Sequence, residues 1–361
     1  MLHYGRLPDT PARTKDRKSM RALVTGASGF VGSHLAERLL AEGAEVVCQV
    51  RTTSRRAWLE DLDVEFRTAD LRDADAVARA AAGVDHVFHV AALLRARTAE
   101  AYAAVNVEGT RHLLRAVERS CPNLQRFVYV SSLAAAGPCP SVEPLDETAE
   151  ARPMSHYGSS KLAAERVVLD ARDRLPVTVV RPPAVYGPRD ESFLSLFKMA
   201  RRLRLAPVIG SPDKELSLVH VADLVECLWL AAAGEAARGE VYFVGSGTYT
   251  WARITDALEA AFGHRLRRLR IPRVVARLVG EIGELKWTLT RRPQVISRRK
   301  IRDMLQERWT CSWAKAERDL GYRPRVPLDE GMRQALEWYA SRGWIRPLKK
   351  RGGSTAGRGL R

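Results

Sequence analysis

Thr25-Gly26-Ala27-Ser28-Gly29-Phe30-Val31-Gly32 decides the fold. A short apolar run at 22–24 leads into it, and helical spacing begins at once over 31–41. Glycines at 26, 29 and 32 let the backbone turn tightly and approach a pyrophosphate, while the following helix start offers free N–H groups and a positive dipole. The spacing is G-x-x-G-x-x-G, unlike the general G-x-G-x-x-G fingerprint. Its position between a strand and a helix selects a dinucleotide turn over an ordinary one. Gly26, Ser28, Gly29, Phe30, Val31 and Gly32 are therefore expected to hold the phosphates.

Working outward, apolar runs at 46–50, 64–66, 86–90, 127–130 and 177–180 alternate with helical stretches at 74–82 and 103–119. Unbroken apolar runs, as opposed to alternating ones, mark strands covered on both faces. The reading is an α/β, doubly wound parallel sheet over residues 21–180. Over 181–345 the order loosens. Helical segments at 193–204, 221–233, 251–262, 274–289 and 328–340, with short apolar pieces such as 241–244, suit a smaller C-terminal domain packed over one sheet edge. Residues 1–20 and 346–361 read as disordered basic extensions.

The net charge of +17 is concentrated: residues 264–302 carry +11, the first twenty +3 and the last sixteen +6, leaving the body at −3. No zinc-finger pattern, helix-turn-helix spacing or aromatic-studded basic run accompanies it, so nucleic acid is not the expected partner. Five scattered cysteines without a C-x-x-C pair, no secretory-type leader and no long apolar span imply a reduced, metal-free, cytoplasmic protein. His34, His86, His89, His112 and His220 lack ligand spacing and read as packed or capping residues. Asp223 reads as a helix cap or loop anchor. Residues 264–273 read as a solvated edge strand.

Tyr157 and Lys161 stand at i and i+4 on one helix face. A phenol of pKa about 10 is a poor acid–base at neutral pH, and a nearby ammonium and a cationic nicotinamide would draw it down. Ser132, at a strand end, can orient a substrate oxygen. After the second strand come Arg51, Ser54 and Arg55, where an NAD-preferring site places an acid. Guanidinium and hydroxyl groups suit a 2′-phosphate, so NADP is expected over NAD.

These features, with Asp70-Leu71, His89-Val90-Ala91-Ala92, Asn106-Val107-Glu108-Gly109-Thr110, Ser131-Ser132, Arg181-Pro182-Pro183-Ala184-Val185-Tyr186-Gly187-Pro188 and Val219-His220-Val221-Ala222-Asp223, resemble the extended short-chain dehydrogenase/reductase family of NAD-dependent epimerase/dehydratase type. The likeness spans residues 21–344. It implies a Rossmann-type cofactor domain and a C-terminal substrate-binding domain. By it, Asp70 and Leu71 flank the adenine, Ala91 and Ala92 line the cofactor path, Asn106 supports the nicotinamide end, and Pro183 and Val185 touch the nicotinamide. Ser132, Tyr157 and Lys161 form the catalytic set, with Lys161 also binding the nicotinamide ribose.

Dehydratases of the family carry an acidic pair after the catalytic hydroxyl; Leu133, Ala134 and Ala135 stand here instead. The resemblance is strongest to the 3β-hydroxysteroid-dehydrogenase-like and dihydroflavonol-reductase-like branch, which acts on secondary alcohols or ketones. A nucleotide-sugar 4-epimerase with tightly bound NAD and a non-catalytic NADP-binding regulator are the alternatives. A small-molecule substrate is the expected partner, with a homodimer left open. Finally, Val274, Val275, Leu278, Val279, Ile282 and Leu285 form an apolar stripe beside Arg273, Arg277 and Lys286. Packing against the smaller domain is expected, with any membrane-surface contact weak and salt-sensitive.

Overall fold

The computed structural model describes residues 20–290 and 298–346. The chain opens with β1 (Arg21–Thr25), α1 (Phe30–Ala41), β2 (Glu45–Val50), β3 (Glu65–Thr68), α2 (Ala74–Ala81) and β4 (His86–His89). It continues with α3 (Ala99–Tyr102), a π-helical turn Ala103–Glu108, α4 (Gly109–Ser120), β5 (Arg126–Val130), α5 (Leu133–Ala136), α6 (His156–Leu169) and β6 (Val177–Arg181). Beyond these come β7 (Ala184–Tyr186), α7 (Leu194–Leu203), β8 (Leu205–Ile209), β9 (Glu215–His220), α8 (Val221–Ala233), β10 (Val241–Phe243), β11 (Gly247–Thr250) and α9 (Trp251–Phe262). The last elements are β12 (Arg267–Ile271), α10 (Arg273–Thr290), α11 (Arg298–Met304), β13 (Arg308–Trp309), α12 (Ala314–Leu320) and α13 (Leu328–Ser341).

Seven parallel strands form the main sheet in the order β10-β6-β5-β4-β1-β2-β3. The order reverses on either side of β1, the crevice where open α/β sheets bind ligands. Register places Gln49 and His89 level with Thr25, so three polar side chains meet at the carboxyl edge beside the glycine turn. One face is covered by α1 and α8, through Leu35, Leu39, Leu224 and Leu228. The other is covered by α2, α4 and α6, through Val77, Leu113, Val117 and Val168.

Val241–Phe243 does not belong to the smaller domain, as its place in the chain suggested. It pairs in parallel with β6 and completes the main sheet. The reason is burial: Tyr242 and Phe243 are fully enclosed, and the apolar α8 carries the chain back across the sheet. The smaller unit is built from β7, β9, β11 and β13, with the β8–β12 pair beside it. Its core is Phe197, Leu258, Met332, Leu336 and Tyr339.

Asp223 is a loop anchor, accepting from the Ser246 hydroxyl (2.6 Å) and the Arg325 amide (2.9 Å). The cap of α8 is His220, which accepts from the Ala222 amide. Residues 267–271 are an exposed edge strand. The stripe on α10 overturns its expectation: Val274, Val275, Leu278, Val279 and Ile282 face solvent. What packs inward is the opposite, small-residue face, Ala276 and Gly280, and at Gly280 α11 comes so near that a Cβ would lie 3.1 Å from the Arg298 Cα. The side chains of Leu285 and Lys286 lie outside the described residues.

Candidate active site

The glycine turn is shaped by contacts a side chain would block. Gly26 has φ +68°, and a Cβ there would lie 2.8 Å from the Ala91 Cα; one on Gly32 would lie 2.3 Å from the Gly26 carbonyl oxygen. Gly29 precedes α1 with no side-chain cap, and no acid occupies the first turn. The start of α1 thus keeps unpaired N–H groups beside the accessible rim of Ser28, Gly29, Phe30 and Val31. An anion of pyrophosphate type fits such a cradle.

Beneath it runs a buried polar chain. The Ala91 amide donates to the Thr25 hydroxyl (3.2 Å), which donates to His89 Nδ1 (2.7 Å). His89 Nε2 donates to Thr110 (2.9 Å), whose hydroxyl donates to the Asn106 carbonyl (2.6 Å). This order of donation fixes the neutral Nε2–H tautomer. Burial, with the charge of Lys161, lowers the His89 pKa to about 3.

Asn106 sits in the π-helical turn, a distortion that recurs at functional sites. Its side chain accepts from the Leu93 amide (2.7 Å) and donates to Ser160 Oγ (2.9 Å), which donates to the Tyr157 carbonyl (2.8 Å). The loop after β4 is thereby tied to the first turn of α6. Ala92 and Val185 are half-buried there and Pro183 is buried.

Ser155 caps α6, its hydroxyl accepting from the Gly158 amide (3.1 Å). Ser132 caps α5 in the same way, accepting from the Ala134 amide (3.1 Å), and its hydroxyl lies near enough to that of Tyr157 to favour the phenolate. The expected lowering of the phenol by Lys161 is absent from this arrangement. Burial pushes Tyr157 up to about 12, with Ser132 opposing. Burial likewise lowers Lys161 to about 7, with Glu165 opposing. Each group loses hydration of its charged form, and that loss is the largest cause of both shifts. The Lys161 ammonium lies over the Tyr129 ring at 4.2 Å.

Beyond β2, Arg51 and Arg55 are exposed and Ser54 is half-buried. The Ser54 hydroxyl accepts from the Arg51 amide (2.9 Å), so the turn presents both residues together. Asp70 is held by Arg72 (2.7 Å), which with Arg51 lowers its pKa to about 2. Leu71 is buried beside Gly109, its carbonyl meeting His112 Nδ1 at 2.9 Å.

The model of the NAD dependent epimerase/dehydratase family matches residues 22–245. The chain belongs to that family. Among its relatives, the ceramide reductase of Caulobacter vibrioides (strain NA1000 / CB15N) is 33% identical, covering 89% of this chain and 95% of that protein. The 3-beta-hydroxysteroid dehydrogenase of Mycolicibacterium neoaurum is 30% identical, covering 88% of this chain and 91% of that one. The crystal structure of gox2253 superposes with TM-score 0.76 at 29% identity, covering 90% of this chain and 99% of that one. Family membership gives the chain a Rossmann-type, NAD(P)-binding fold, and the ceramide reductase and the hydroxysteroid dehydrogenase are oxidoreductases.

In this epimerase/dehydratase-family chain, several site-shaping residues escape sequence reasoning. Gln49 accepts from the Gly26 amide (3.3 Å). Glu165, fully buried, accepts from Ser131 (2.8 Å) and from Arg181 (3.0 Å), bracing β5, β6 and α6 behind the site. Glu165 stands four residues after Lys161, a signal that the Tyr–Lys helix could have offered. Gln49 had none. His89 is packed, as its lack of ligand spacing implies, and its two hydrogen bonds also join β1 to α4.

Proposed function

We propose that this chain is an NADPH-linked oxidoreductase interconverting a ketone and a secondary alcohol, of hydroxysteroid, flavonol or other small organic type. The observation that carries the reading is the Ser132–Tyr157 hydroxyl pair at the sheet's carboxyl edge, followed by Leu133, Ala134 and Ala135 with no acid among them. The pair can protonate and orient one oxygen, and no neighbouring acid–base is available there for eliminating water. The reductase and dehydrogenase relatives agree with this chemistry.

The cradle that a Cβ would fill fits the pyrophosphate of a dinucleotide, and Arg51, Ser54 and Arg55 fit a 2′-phosphate. When bound, the nicotinamide supplies or accepts the hydride. Ser132 orients the substrate oxygen. Tyr157, with its pKa at about 12, holds its proton at neutral pH and can give it to the oxygen as negative charge develops there. Lys161, buried and close to neutral pH in its titration, steadies the phenolate left behind once it carries its proton.

The test is cofactor stoichiometry. Purified protein and a panel of cyclic and long-chain ketones should consume NADPH mole for mole with alcohol formed. Turnover of a nucleotide sugar with no added nucleotide would establish the epimerase instead. NADPH binding with no turnover of either would favour the regulator.

A further inference from the structure

Val274, Val275, Leu278, Val279 and Ile282 are 40% to 65% exposed. At about 100° per residue they fall on one face of α10, and no described residue covers it. Contiguous apolar patches of this kind are uncommon on soluble proteins and mark interaction surfaces. In the strand that leads into α10 and on the helix itself, the side chains of Arg265, Arg267, Arg270 and Arg277 are exposed and have no hydrogen bond or ion pair among the described residues. A cleft of about 450 Å³ between α10 and α11 is rimmed by Arg273, Arg277, Arg298 and Arg302. Glu281 is the acid in that lining, paired with Arg298 (3.2 Å), and Arg273 is paired with Glu307, which leaves Arg277 without an ion pair there among the described residues.

From the combination of stripe and unneutralised arginines, we infer that α10 docks this protein on an anionic phospholipid bilayer. Its apolar face enters the acyl boundary and the arginines meet the headgroup phosphates. Charge argues against the other coverings. The segments 1–20 and 346–361 are both net basic, and a second copy seated stripe to stripe would bring the exposed arginines of both copies together. No described helix is long and apolar enough to cross a membrane, so the contact is peripheral. The hairpin also abuts the active site, since Arg302 donates to the carbonyl of Met154, next to the cap of α6.

Full-chain protein is floated with vesicles of phosphatidylcholine alone or with about a third phosphatidylglycerol. It should float with the mixed vesicles only, and ~1 M salt, where the Debye length is about 3 Å, should release it. The L278Q/I282Q variant and the R270E/R277E variant should each lose about tenfold or more in partitioning, with melting temperature unchanged because these side chains are exposed. R270K/R277K should bind like the parent. Failure to float, or undiminished flotation of both variants or at high salt, overturns the proposal. A dimer in the absence of lipid that L278Q/I282Q disperses would give the stripe to a second copy and likewise overturn it.

Discussion

The carboxyl edge of the main sheet and the α10–α11 hairpin break opposite rules. At the edge, Thr25, His89, Asn106, Lys161, Glu165 and Arg181 are polar yet buried, and hydrogen bonds or a ring contact engage each of them. On the hairpin, five aliphatic side chains stand in solvent with nothing described against them. Buried polar groups demand a unique arrangement, since an unmet one costs about 1–3 kcal/mol. Exposed apolar groups demand a partner from outside. The first region is satisfied within the chain except at Arg181 Nη1 and the Tyr129 hydroxyl, and the second is half of an interface. Substitutions should therefore be costly at the edge and nearly silent for folding on the hairpin.

The largest effect is expected at Glu165. Glu165→Ala leaves the Arg181 guanidinium, 8% exposed, and the Ser131 hydroxyl without their shared acceptor. Breaking a buried pair from one side costs about 3–5 kcal/mol, to be read from urea unfolding. A loss below about 1 kcal/mol would put Glu165 in the same class as a surface residue and erase the contrast.

Next is Tyr157→Phe. It keeps the ring, should unfold like the parent and bind NADPH, and should lose about a hundredfold or more in kcat. Near-normal kcat would move the acid–base elsewhere. Smallest is Arg51→Ala, which sits at the exposed rim of the edge. NADPH should bind about tenfold to a hundredfold more tightly than NADH in the parent, and the gap should shrink in the variant. Fluorescence titration of both nucleotides decides it. Equal affinities in the parent would remove Arg51 from phosphate reading.

What the sequence made legible was local. The glycine turn and the Tyr157/Lys161 spacing lie within one strand–turn–helix or one helix, so residue order alone places them. The strand β10 escaped because its partner β6 lies some sixty residues earlier and its three residues match a strand of either domain. The Thr25–His89–Thr110 chain escaped because its members come from β1, β4 and α4 and meet only in the folded register. The α10 stripe was visible as a periodicity, but periodicity defines a face without saying what covers it. Spacing likewise put Lys161 near Tyr157 while leaving out burial, which decides both titrations.

His89 has a consequence for how the enzyme meets changing surroundings. Histidine is the usual reporter of mild acidification, but this ring has both nitrogens engaged and a pKa near 3. Acidification toward pH 5 leaves it uncharged, so no new positive charge forms under Ala91 and no donor is forced to face another donor. The Thr25–His89–Thr110 chain thus stays electrically silent across the range in which cells acidify, and a response to acid falls to neighbours such as Lys161, lowered to about 7.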